Sequence, residues 1–255
     1  MLKKEFPILE YDKEQEAFIN PWTLHQKTDI SEHAVLCFFG DAIEKLKKEI
    51  PFEIKYTLKA ETHFFPVYEF QYREKKVAVI HMPVGAPLAA SFLDELGAIG
   101  CTKFIACGGC GVLAEDLPVG ALLIPVSAVR DEGTSYHYLP PSREVRANEH
   151  AVKCVEKTLS EQGVRYSKVK TWTTDAFFRE TKAKIQLRRE EGCATVEMEA
   201  SAFMAAAEFR NVTFGQLLYA GDDLSGSVWD NRGWGSREDI REAVLKLALD
   251  CCLAL

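Results

Sequence analysis

The chain has 255 residues, 47% of them hydrophobic, enough to bury a full core in one large α/β domain. Its formal charge is -7, from 31 basic and 38 acidic residues, and no basic run is long enough to track a phosphate backbone, which excludes nucleic acid as an expected partner. The opening MLKKEFPILEYDKEQ is broken by charge and has no apolar signal region, and no stretch approaches ~18 uninterrupted apolar residues, so a cytoplasmic protein with no membrane contact is expected.

From Val77 onward, short apolar runs alternate with amphipathic stretches. KVAVIHM reads as a strand, followed by the helix APLAASFLDELGAIG with Pro87 in its first turn and Gly97 or Gly100 near its end. CTKFIAC is the next strand, expected to end in a loop carrying Gly108, Gly109 and Gly111 around Cys110. ALLIPVSAV is a strand in which Pro125 marks an edge or a bulge, and the long polar RDEGTSYHYLPPSREVRA is expected to be a pocket loop, with Tyr136 and His137 lining or pinning it. Asn148 caps a helix burying Ala151, Val152, Val155 and Leu159, and VRYSKVKTWTT alternates as a strand. ETKAKIQLRREEG is an exposed helix, SAFMAAAEFR an apolar one, and TFGQLLYAG a strand. The last helix is expected to open at Ser236, with Asp239 at capping-box spacing and a stripe of Ile240, Val244, Leu247, Cys251 and Leu255.

This alternation predicts a single α/β domain spanning 1–255, with a central mixed twisted sheet flanked by helices and residues 1–30 as an N-terminal extension of unassigned role. The eight cysteines sit mostly in apolar segments, as structural thiols of a reducing compartment do. Cys107-x-x-Cys110 has redox or metal spacing, but no second pair at comparable spacing accompanies it, so no metal is expected.

Ligands of such sheets collect at the carboxyl ends of strands, where CGGCG, TTDAFF and AGDDLSG fall. Glu197 and Glu199, at a strand-to-helix junction, read either as an exposed first-turn pair or as carboxylates accepting from vicinal hydroxyls. Asp222 and Asp223 read either as a turn or as a general acid facing a leaving group. Phe177 and Phe178 are core aromatics unless they stack on a heterocycle.

Together these segments resemble the nucleoside phosphorylase superfamily, in its purine and uridine phosphorylase and nucleosidase branch. VEMEA (196–200) is the most specific motif, and Gly40-Asp41, the glycine segment, TTDAFF and GDD follow in matching order; VSAVRDEGTSYHY looks like the uridine-phosphorylase version of its region. The resemblance implies an enzyme cleaving the N-glycosidic bond of a ribonucleoside through an oxocarbenium-like transition state. Met198 and Glu199 would hold the ribose, and Phe177 would pack on base or sugar. Asp222 would protonate the leaving base, which points to a purine.

The same resemblance places Gly40 at the nucleophile or anion pocket and Gly108 and Gly109 among the substrate-binding residues. Where phosphorylases carry phosphate-binding arginines and a hydroxyl residue, this chain has Glu44, Ala106 and Gly109; a third arginine, lent by a neighbouring subunit, falls near His63. Hydrolysis is therefore the leading expectation. The alternatives are phosphorolysis, with phosphate as co-substrate and replacement cations among Arg130, Arg143, Arg179 and Arg232, and a nucleoside-binding protein without catalysis. Arg232 lies nearest the base-site segment, no cofactor is expected, and the partners are a small nucleoside and further copies of the chain, as a dimer or hexamer. His25 is a candidate from the N-terminal segment.

Overall fold

Hydrogen bonding joins ten strands into one mixed sheet in the computed structural model, which describes residues 2–255. In chain order the elements are α1 (Pro21–Leu24), β1 (His33–Cys37), α2 (Gly40–Glu49), β2 (Glu53–Lys59), β3 (Phe64–Tyr72), β4 (Lys75–His81), α3 (Ala86–Ile99) and β5 (Lys103–Val112). There follow β6 (Leu122–Asp131), α4 (Ser135–Tyr138), β7 (Glu144–Arg146), α5 (Glu149–Glu161), β8 (Tyr166–Thr174), α6 (Lys182–Glu190), β9 (Cys193–Glu197), α7 (Ala200–Arg210), β10 (Thr213–Asp223) and α8 (Glu238–Ala254). The expected α/β class with a mixed sheet between helices is the one observed.

The sheet has two parts that meet at β5. One is an open arm, β5-β1-β4-β3-β2. The other closes on itself: β5 pairs with β9, β9 with β8, β8 with β6, β6 with β10, and β10 returns to β5. The closure is narrow, since β10 and β6 pair only at Leu218–Leu123 and Tyr219–Leu122. Helices α2, α5 and α8 cover one face through Leu46, Val155, Leu159 and Leu249, while α3 and α7 cover the other through Phe92, Leu96 and Phe203. With helices on both faces, β5 and β10 bury nearly every side chain, and both read as continuous apolar runs.

Several local expectations hold for the expected reason. The Asn148 side chain accepts from Ala151 N–H at 3.0 Å and caps α5. Pro87 sits in the first turn of α3, which ends at Gly100, whose φ of 133° is closed to most residues. The β6–β8 register shifts between Pro125 and Ser127, a bulge at the proline, which cannot donate to the ladder.

Three expectations are corrected. The glycine segment is strand: β5 continues through Gly108, Gly109 and Gly111 to Val112, and none of these glycines has a positive φ. No capping box opens α8, because the Ser236 hydroxyl donates backward to Gly233 O and the helix begins at Glu238. The stretch from Arg130 to Ala147 is an internally pinned excursion. It contains α4 and β7 and wraps the buried Arg130 guanidinium, which donates to Ser135, Ser142 and the carbonyls of Leu139 and Pro140.

The β5 glycines answer a packing demand. A Cβ at Gly108 would lie 3.3 Å from the Phe38 ring, one at Gly109 3.3 Å from Tyr219, and one at Gly111 2.7 Å from Leu224 and 2.9 Å from Val196. Cys107 and Cys110, three residues apart on an extended strand, point to opposite faces and bury in different clusters, so they do not form a redox pair. Gly111→Ala is expected to overpack the β5–β9 junction at a cost of about 1–3 kcal/mol, lowering the melting temperature by several degrees in a thermal scan. An unchanged melting temperature would mean that Leu224 and Val196 yield freely.

Candidate active site

A cavity of about 700 Å³ opens at the carboxyl ends of the parallel strands, where β5 changes partners. On one side of β5, pairing with β1 ends at Cys107 and pairing with β9 begins only at Gly111. Gly108, Gly109 and Cys110 fall in that gap and line the cavity, with Phe38 and Phe39 just beyond the end of β1. Four carboxylates reach it, those of Glu180, Glu197, Glu199 and Asp222. Among the described residues the one guanidinium lining it is that of Arg241.

Glu197 ends β9, and its buried carboxylate is used internally. Oε1 accepts from the Thr173 hydroxyl at 2.7 Å, and Oε2 accepts from the backbone N–H of Glu199 and Ala200 at 2.8 and 2.6 Å. It thus satisfies the free N–H groups at the start of α7. Neither reading from sequence survives intact: Glu197 is not exposed, and it lines the cavity without an oxygen left free for a ligand. Burial pushes its carboxyl up to about 7, against the pull of these donors.

Glu199, the next residue but one, turns into the cavity and is 6% exposed. Its Oε1 accepts from Gly85 N–H at 2.6 Å, leaving the other oxygen for a ligand. Gly85 adopts a φ of 113°, and this backbone bend presents its N–H to the carboxylate. Burial, and then the neighbouring charge of Glu197, raise the Glu199 carboxyl to about 8. Met198, between the two glutamates, is half-buried on the cavity wall.

Asp222 sits in a bulge of β10, where the pairing with β5 slips between Ala220 and Asp223. A bulge re-aims side chains, and here it separates two adjacent aspartates. Asp222 faces the cavity and accepts from the Trp229 indole N–H at 2.7 Å. Asp223 turns away to Ser225 N–H at 2.7 Å and to the Arg232 guanidinium. The two aspartates thus divide: Asp223 makes the turn contact, and Asp222 faces the cavity.

Phe177 and Phe178 are not core residues: they are 53% and 87% exposed at the cavity mouth, with ring centroids 4.0 Å apart. Arg232 does not line the cavity, being held by Asp223 and by the Leu117 carbonyl at 2.8 Å. Gly40 also stands outside it, at the start of α2, where a Cβ would meet the His81 ring at 2.6 Å. Glu44 pairs with Lys47 on the exposed face of α2. Arg130 is consumed internally and Arg143 by Glu191. His25 lies in a separate concavity, between Tyr56 Oη and Glu95 at 2.9 Å each, and His137 borders the same concavity.

Among the cavity residues that went unread in the sequence, two carry charge. Arg241 lies on α8, bonded to Asp41 at 3.1 Å, with its guanidinium 5.8 Å from the ring centroids of both Phe39 and Trp234. An isolated arginine on an amphipathic helix carries no local signal of that placement. Glu180 follows the aromatic pair within FFRET and is half-buried. Burial, and then the Asp222 charge, push its carboxyl up to about 7.

Raised carboxyls make the folded state bind more protons than the unfolded chain, whose glutamates titrate near 4.5. Stability therefore falls as pH climbs from about 4.5 through 7 to 8. The ligand-free protein is expected to melt several degrees lower at pH 8.5 than at pH 5.5, and Glu199→Gln should flatten that slope. A slope unaltered in the variant would place the uptake elsewhere.

The profile of the Phosphorylase superfamily matches residues 32–250. A guanosine phosphorylase of Halorubrum lacusprofundi is 23% identical over 208 residues, covering 78% of this chain and 84% of that protein. Among solved structures, an AMP nucleosidase from Bacteroides thetaiotaomicron superposes with a TM-score of 0.72 at 22% identity, over 89% of this chain and 90% of that one. A purine nucleoside phosphorylase from Toxoplasma gondii, in complex with immucillin-H, gives 0.74 at 20% identity, over 88% and 91%. With its sheet, its VEMEA junction and a match spanning most of its length, the chain belongs to the phosphorylase superfamily, the nucleoside phosphorylases and nucleosidases that cleave N-glycosidic bonds.

Proposed function

We propose that the protein hydrolyses the N-glycosidic bond of a purine ribonucleoside. The observation that carries this reading is the shortage of cations at the cavity: four carboxyl groups and a single guanidinium, itself held by Asp41. A phosphate dianion entering such a site would lose its hydration and gain little compensation, whereas water carries no such cost. The β5 glycines do not repair the deficit, because an anion nest needs alternating backbone conformations and these residues are extended in a ladder.

The remaining geometry fits the same chemistry. Glu199, fixed by Gly85 N–H, accepts hydrogen bonds from the ribose 2′ and 3′ hydroxyls with Met198 beside it. Asp222, oriented by the Trp229 indole, delivers a proton to the departing base as the C1′–N bond breaks. The bonding pair leaves with the base, water oxygen bonds to C1′, and the proton that water sheds restores the carboxyl. Phe177 offers a ring face to base or sugar.

Phosphorolysis stands as a second reading on one observation, that Arg241 does line the cavity beside Phe39. Inosine, adenosine, guanosine, uridine and methylthioadenosine, each with and without phosphate, separate the two. Hydrolysis yields base and free ribose at rates indifferent to phosphate; ribose 1-phosphate formed only with phosphate would replace it with the second reading. Asp222→Asn is expected to lower kcat on the best purine nucleoside by about 10²–10⁴-fold while nucleoside binding persists. Glu199→Ala should weaken nucleosides at least tenfold more than free bases in calorimetric titrations, and equal losses would remove Glu199 from the sugar site.

A further inference from the structure

Gln216 is a polar cavity residue to which the chemistry above gives no task. It lies on β10 and is 3% exposed, yet it lines the cavity, and its buried amide oxygen Oε1 has no hydrogen-bond partner among the described residues. The buried carboxyls nearby are engaged, Glu197 by Thr173 and the start of α7, and Glu199 by Gly85. A polar group taken from water without a partner is costly, and it is retained where something else completes it. A half-turn about the last side-chain bond exchanges the oxygen and nitrogen of a carboxamide without changing its shape, so either can face the cavity.

Its position limits what that something is. Gln216 pairs in register with Ala106 of β5, two residues deeper than the pair Leu218–Gly108, and neither β5 neighbour brings a charge beside it. Side chains alternate along a strand, so Gln216 shares a face with Phe214, which stacks on Phe203 of α7 with ring centroids 5.0 Å apart. Phe203 lies one helical turn beyond Glu199, whose carbonyl accepts its N–H at 3.0 Å. The amide and the Glu199 carboxyl therefore stand on the same side of the sheet, with the amide at the cavity floor. Asp222 follows six residues later, at the outer end of the same strand. A ribose held by Glu199, with its base leaving toward Asp222, would turn the opposite face of C1′ to that floor.

We propose that the Gln216 carboxamide holds the water that attacks C1′, on the side opposite the leaving base. This rests on the hydrolytic reading above and names the residue that places its nucleophile. The amide orients the water and takes no proton. As the C1′–N bond breaks, its electron pair leaves with the base, Asp222 supplies the proton to the base, a water lone pair forms the C1′–O bond, and the proton shed by the water restores the Asp222 carboxyl. An uncharged amide gives and accepts hydrogen bonds with water, but it offers a phosphate dianion no compensating charge. Holding a reactant in line raises rate without tightening the nucleoside, so the effect falls on kcat.

The test compares the wild type with Gln216→Met, which keeps the length and removes the amide, and Gln216→Glu, which keeps an acceptor. Turnover of the best purine nucleoside is followed with and without phosphate, and with methanol as a competing nucleophile. Affinity is read by calorimetry with formycin B, a purine C-nucleoside whose C1′–C bond does not break. In Gln216→Met, kcat should fall by about tenfold or more while formycin B affinity stays within about twofold. The share of methyl riboside over ribose should rise in that variant, and Gln216→Glu should retain more kcat. An unchanged kcat in Gln216→Met, beside phosphate-independent hydrolysis by the wild type, overturns the proposal and leaves hydrolysis standing. So does a loss of formycin B affinity as large as the loss of kcat/KM, which would put the amide on the sugar. A wild type that forms ribose 1-phosphate only with phosphate, or cleaves nothing, sinks the hydrolytic reading and the water role with it. Should Gln216→Met fail to fold, Gln216→Ala carries the same comparison.

Discussion

The buried carboxylate of Glu197 ties together everything the site needs. It joins β8 through Thr173 to the start of α7 through two backbone N–H groups, and the Thr173 hydroxyl in turn accepts from Ser201 N–H at 3.0 Å. A carboxylate is expensive to bury, and this one is retained because three donors converge on it. The geometric result is that the chain leaves β9 and enters helix within two residues, so that Glu199 swings into the cavity and reaches Gly85 on the far side of the sheet's partner change.

The cavity itself comes from a second constraint, the absence of side chains along β5. Phe38, Tyr219, Leu224 and Val196 all close to within contact distance of where Cβ atoms would stand. Glycine's freedom to adopt positive φ is not used at these positions; its lack of bulk is. The strand can therefore change partners from β1 to β9 with its backbone bare to the cavity between them, the topological switch point at which open sheets bind ligands.

Charge then decides what such a cavity admits. Arg130, Arg143 and Arg232 are all bound to other parts of the chain, and Arg241 alone stands at the cavity among the described residues. Burial raises the proton affinity of Glu180, Glu197 and Glu199, most for Glu199, which also has a like charge beside it. On the hydrolytic reading proposed above, such a site would take neutral, hydroxyl-rich ligands in preference to anions.

The sequence by itself determined the α/β class, the Asn148 cap, an edge or bulge at Pro125, and the placing of Glu199, Met198, Phe177 and Asp222 at strand ends. Those properties follow from local chemistry and from the short-range alternation of apolar and polar residues. Only the tertiary structure decided that CGGCG is strand, that Asp222 and Asp223 diverge, and that Phe177 and Phe178 edge a cavity. It likewise turned Glu197 inward, gave Arg232 to Asp223 and brought Arg241 and Glu180 to the site. Each of these outcomes depends on where a side chain points after a five-strand ring has closed, through β10, β6 and β8, around residues more than a hundred positions apart. No window of neighbouring residues contains that information, because the closure that sets it is a long-range pairing.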